Sequence, residues 1–112
     1  MMAQIKIGGE LRPFQITPRV LSVWMSQTKK GLNDLANLNF EDLEVIFFHG
    51  FRSGHKKEHG TEPTWDLETY RNWMDAREAF QTLHQCQKEL EASMQAMMGE
   101  ETETSEEEAP GN

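Results

Sequence analysis

Alternating apolar and polar positions open the chain and give way to helical spacing near residue 17. Ile5 and Ile7 alternate with Gln4 and Lys6, the period of a half-buried strand. Gly8-Gly9 follows, and paired glycines supply the positive φ angles of a two-residue hairpin turn. Phe14 and Ile16 alternate in the returning arm. Pro13 cannot donate a ladder hydrogen bond, which places this arm at a sheet edge. A lone hairpin is marginal in water, so both strands are expected to lie on helices.

Thr17 suits an N-cap and Pro18 the first helical position. Val20, Leu21, Trp24, Met25 and Thr28 then share one helical face. Lys29 and Lys30 complement the dipole at its end, and Gly31 is expected to stop the helix in the left-handed conformation. Leu32, Leu35 and Leu38 make a short apolar ladder, either one helical turn or a packed loop.

Asn39 caps a second helix, with Asp42 near its start. Its stripe is Phe40, Leu43, Ile46, Phe47, Gly50 and Phe51, while Val45 and Phe48 lie outside it, towards Glu41 and Arg52. A helix apolar on more than one side is central in the fold or touches a partner. The pattern ends around Ser53-Gly54, and residues 55–63 read as a polar loop. Thr64 is expected to cap a third helix with Leu67, Tyr70, Trp73 and Met74 on its apolar face. Asp75 either marks a bend or is passed through. The last stripe is Ala76, Ala79, Phe80, Leu83, Cys86, Leu90, Met94 and Met97, and it fades at Gly99.

Composition sharpens this outline. A chain of 112 residues is one domain's worth and buries one modest core. Its net charge is −8, but residues 99–112 hold six Glu and no Lys or Arg, so the other 98 residues net only −2. The fold class expected is mainly α: a small helical domain with an N-terminal β-hairpin over 1–98, and a disordered acidic tail over 99–112. The acidic balance argues against binding nucleic-acid phosphates. No apolar run approaches the ~20 residues needed to span a bilayer. There is no basic-then-apolar signal region, and Cys86 as the single cysteine fits a reducing cytoplasm.

The candidate chemistry is thin. His55 and His59 have the spacing of a helical metal pair, with Glu58, Glu62 or His49 as nominal further ligands. Their glycine flanks put them on a loop, so no metal is expected. Cys86 lies on the apolar stripe with no base beside it, the mark of a buried, inert thiol. Gly8-Gly9 lacks the Lys-Ser/Thr of a phosphate loop. Glu41/Asp42 and Glu100/Glu101 have no apolar pocket to raise a pKa. Neither a catalytic constellation nor a cofactor site emerges. Candidate partner contacts are Val45 and Phe48, the helix-entrance Trp65, and the adaptable Met94, Met97 and Met98.

The order of segments is Ile-Lys-Ile-Gly-Gly-Glu, Arg-Pro-Phe-Gln-Ile, Pro-Arg-Val-Leu-Ser-Val-Trp, Lys-Gly-Leu-Asn-Asp-Leu and Asn-Phe-Glu-Asp-Leu-Glu-Val-Ile-Phe-Phe-His-Gly-Phe. Over about residues 4–98 this resembles the tail assembly chaperones of long-tailed bacteriophages and prophages. The resemblance implies a non-enzymatic protein of the host cytoplasm. It would bind the tape measure protein, keep it soluble, and recruit tail tube protein during tail morphogenesis. Self-association stays open. The alternative reading is a small acidic inhibitor or DNA mimic, which would need carboxylates spread over a folded face. Here they concentrate in the tail.

Overall fold

A computed structural model describes the backbone of residues 2–108 and the side chains of residues 2–97. Strands β1 (Ala3–Ile7) and β2 (Glu10–Phe14) form an antiparallel hairpin. Ile7 pairs with Glu10, leaving Gly8 and Gly9 as the turn, with φ of 63° and 83°. Ile5, Ile7 and Phe14 are buried against helices, as the period-2 pattern expects. Pro13 pairs with Gln4 in a sheet of two strands, where every strand is an edge.

Helix α1 (Pro18–Thr28) starts as its sequence predicts: Thr17 Oγ1 accepts from the Val20 N–H at 3.2 Å, and Pro18 fills the first position. Val20, Leu21 and Trp24 are buried. Its end differs from the expectation at Gly31. The left-handed residue is Lys29, at φ 62°, whose N–H reaches the Met25 carbonyl at 2.9 Å. Gly31 is extended and instead precedes a 3-10 turn over Leu32–Ala36. Lys30 is thereby released from the helix end and reaches Asp42.

Helix α2 (Phe40–His59) is longer than its apolar stripe suggests. Gly54 does not stop it; the left-handed cap is Gly60, at φ 82°. Lys56, Lys57 and His59 then occupy the last turn, where cations favour the helix dipole. The expected loop at 55–63 therefore begins only at Gly60. Gly54 has another task. A Cβ there would lie 2.4 Å from the Pro13 carbonyl oxygen and 2.6 Å from the Phe14 nitrogen. At Gly50 it would meet the Phe14 ring at 2.6 Å. Two glycines one turn apart let β2 lie directly on α2. The Gln15 N–H donates to the Gly50 carbonyl, and the Gln15 side-chain amide to Ser53 Oγ at 2.9 Å.

Helix α3 (Leu67–Trp73) is capped by Asp66, not by Thr64 as expected: Asp66 Oδ1 accepts from both the N–H and the hydroxyl of Thr69. A turn region separates it from α4 (Ala79–Glu108), so Asp75 marks a break and Ala76 lies outside the last helix. Cys86 and Leu90 are buried, and Leu83, Met94 and Met97 pack on the same core. Phe80, placed by spacing on the inner stripe, is exposed. Buried Thr82 donates from its hydroxyl to the Lys6 carbonyl at 2.7 Å and ties α4 to the outer edge of β1. The backbone of α4 is recorded to Glu108, past Gly99. The side chains of the expected acidic tail, and residues 109–112 altogether, lie outside the described residues.

Gly54→Ala should lower unfolding free energy by about 1–3 kcal/mol, because backbone must move to admit the methyl. Gly31→Ala, whose added carbon meets nothing within 4 Å, should change it by less than about 0.5 kcal/mol. Urea melts followed by circular dichroism compare them; equal midpoints would refute the close-approach account.

Candidate functional site

Two of the six residues that sequence reasoning offers to a partner, Phe48 and Trp65, belong to one aromatic layer. Phe48 is only 9% exposed. Its ring meets Trp65 edge-on at 5.8 Å and Tyr70 at 5.5 Å, and the Arg52 guanidinium lies 5.6 Å from its centroid. Trp65 packs in turn on Trp73 at 5.3 Å. The Arg12 guanidinium covers Trp73 at 4.3 Å, and the same indole lies over Gly8. The layer thus runs from α2 through the 60–66 connection to the hairpin turn.

Phe48 is therefore a core residue, which selects the central-in-the-fold reading over the partner contact for this side chain. The stripe in α2 is wider than a single face because α3 and its leading segment cover a second side. Trp65 is half-buried and not an exposed anchor; its indole N–H is buried with no acceptor among the described residues. Val45, Met94 and Met97 are half-buried against the same core, and the Met98 side chain lies outside the described residues. The large apolar side chains left in solvent are others: Phe40 at 79%, Phe80 at 75%, Leu11 and Leu32.

A polar cluster that spacing alone did not reveal sits where α1 meets the start of α2. Asp42 is buried, although the sequence offers it only as helix-end charge. Oδ1 accepts from the Trp24 indole N–H at 3.0 Å; Oδ2 accepts from Lys30 Nζ at 2.7 Å and from the Asn39 N–H at 3.0 Å. Asn39 returns the contact by accepting from the Asp42 N–H at 2.8 Å. Burial would raise the Asp42 pKa, but the bonds from Lys30, the Asn39 backbone and Trp24 outweigh it and hold the carboxyl below its ordinary range. Every bond is a scaffold bond, so this carboxylate positions helices and has no free lone pair aimed at solvent.

Towards the other end of α1 lies a cleft of about 490 Å³ between the start of α1 and the second half of α2. Arg19, His49, Arg52, Lys56 and Lys57 line it, with Glu62 as the single carboxylate. Glu62 takes Arg52 at 3.0 Å and Lys56 at 3.4 Å. Burial, and then the charge of Arg52, hold the His49 imidazole below its usual pKa, so it stays neutral near pH 7. The sequence shows Lys56-Lys57 only as a short basic run. The missed signal is the helix end at Gly60: with α2 continued to His59, positions 49, 52, 53 and 56 fall on one face.

The same extension places His55 and His59 one turn apart, with ring centroids 4.5 Å apart, and corrects their assignment to a loop. Among the described residues, no group of three or more His, Cys, Asp or Glu side chains is placed to hold a metal ion. His84 is exposed while Cys86 is fully buried, and burial pushes the Cys86 thiol far up, so it stays protonated. No described helix is long and apolar enough to cross a membrane. No family model, curated protein or solved structure matches the chain.

Two outcomes follow from these placements. Phe48→Ala should cost about 3–5 kcal/mol of stability in chemical denaturation, the range for a buried phenylalanine; an unchanged midpoint would return the residue to the surface. The depressed Asp42 pKa stabilises the fold above the unfolded carboxylate range, and that stability is lost as pH falls below about 4. Asp42→Asn should flatten this acid limb of the melting profile and lower Tm at pH 7.

Proposed function

We propose that the protein is a tail assembly chaperone of a long-tailed phage or prophage. In this reading it acts in the host cytoplasm, binds the tape measure protein without catalysis, and helps bring tail tube protein to it. The order of elements behind the resemblance supports it: a hairpin, a Thr-Pro-capped helix, a short turn, and a long central helix. The observation that carries it is the exposure of Phe40 and Phe80, each at the first turn of a long helix. Large apolar rings in solvent are what a holding protein offers to an apolar helical client, since covering them on contact gives about 1.5–3 kcal/mol each before association costs.

The contact set is accordingly Phe40 and Phe80, with Val45, Met94 and Met97 as half-buried neighbours of the core that adapt at its margin. Co-expression with a candidate tape measure protein, followed by pull-down, tests the reading. Wild type should keep the client soluble. Phe40→Ser with Phe80→Ser should reduce retention about tenfold or more while leaving Tm within a few degrees. No association by folded wild type would remove the proposal.

A further inference from the structure

The cationic cleft is separate from the exposed apolar rings, and nothing in the chaperone reading uses it. We propose that it is a docking site for an acidic peptide segment, and that its occupant is the 100–108 segment of a second copy of this chain. The inference stands independently of the proposed function.

Charge segregation carries it. The chain nets −8, yet the cleft gathers Arg19, Arg52, Lys56 and Lys57 around one carboxylate. Glu62 already engages Arg52 and Lys56, while Arg19 and Lys57 have no ion-pair partner among the described residues. The α1 N-terminus opens onto the same space through Thr17 and Arg19, and its dipole adds to the positive field. The complementary charge is in the same chain: residues 100–108 hold six Glu and no base. A cleft of about 490 Å³ takes a few side chains and not a folded domain. Nucleic acid is disfavoured because the whole-chain field is negative.

Chain geometry sets the second copy as donor. Helix α4 is continuous to Glu108. At the helical rise per residue, Glu108 is roughly 16 Å along the axis from Met97, the last described side chain. A helix unbroken to Glu108 has no turn by which residues 100–108 fold back onto the α1–α2 cleft of their own chain. The contact is head-to-tail: each copy uses one cleft and offers one tail, so association propagates to rings or open chains. Exposed charge pairs give it a steep salt dependence.

Sedimentation equilibrium of the full chain reads this directly. Average mass should rise with concentration in about 20 mM NaCl and return to monomer in about 500 mM, where the Debye length is a few ångström. Lys56→Glu with Lys57→Glu should weaken association tenfold or more at low salt. Glu106→Gln with Glu107→Gln and Glu108→Gln should do the same, with both variants still folded by circular dichroism. Mixed one to one, the two variants should form a heterodimer and nothing larger, because one supplies only a tail and the other only a cleft. A wild type that stays monomeric at low salt would overturn the proposal. So would association that both variants retain, or a mixture that stays monomeric. Binding of a single-stranded oligonucleotide that the Lys56→Glu, Lys57→Glu variant loses would also overturn it, in favour of phosphate recognition.

Discussion

The backbone of β2 lies in van der Waals contact with one turn of α2, and the rest of the fold is hung from that contact. Side chains normally hold a strand about 10 Å from whatever it packs on. Here Gly50 and Gly54 remove two of them, so the Pro13 carbonyl and the Phe14 ring enter the space. Phe14 is then fully buried between Phe47, at 6.0 Å, and Phe51, at 4.7 Å. Fixing β2 fixes β1 through the ladder. β1 in turn offers its outer Lys6 carbonyl to Thr82 and so sets where α4 can lie. The hairpin turn presents Gly8 to Trp73, which sets α3. A methyl group at Gly54 would thus be felt through four elements.

Asp42 plays the complementary part at the other end of α2. It joins the capping of α2 to the α1 indole of Trp24 and to Lys30 from the connection between them. A buried carboxylate is tolerated because both its oxygens are hydrogen-bonded, one of the three bonds being charge-assisted and short. The left-handed Lys29 belongs to the same device. By ending α1 two residues before Gly31, it frees Lys30 to turn towards Asp42. A non-glycine residue carries this conformation because the following residues fix the direction of the chain.

Features governed by neighbours in sequence were legible. The hairpin, its Gly-Gly turn, the Thr17-Pro18 and Asn39 caps, the face of α1 and, from Leu83 on, that of α4 follow from local period and local bonds. What was not legible depends on partners distant in the chain. Glycine marks both a helix end and a close approach, and only Pro13, some forty residues earlier, decides which task Gly54 has. Phe48 reads as surplus until Trp65 and Tyr70 arrive to cover it. Asp42 reads as a cap residue until Trp24 and Lys30 reach it. The cationic cleft was hidden by the same misplaced helix end, since a loop at 55–63 scatters side chains that a helix aligns.

These errors share one direction, and it bears on function. A small domain has few apolar side chains, and each is either buried in the core or left in solvent. Within α2, Phe48 and Phe40 stand two turns apart with opposite fates. Phe48 sits under the 65–70 segment, whereas Phe40 is the first residue of its helix, beside a 3-10 turn that buries none of its own residues. Local spacing assigns them the wrong way round, placing Phe40 on the inner stripe and Phe48 outside it, and the structure corrects both. The difference is set by where α3 lands, which Trp73 on Gly8 and the Arg71–Glu44 fork, at 2.9 Å for both bonds, determine. The exposed rings are thus a consequence of the same packing that closes the aromatic layer. The exposed ring at Phe40 and the buried ring at Phe48 are set together, so substitutions along the α3 contact would disturb both, while changes at Phe40 leave the core as it is.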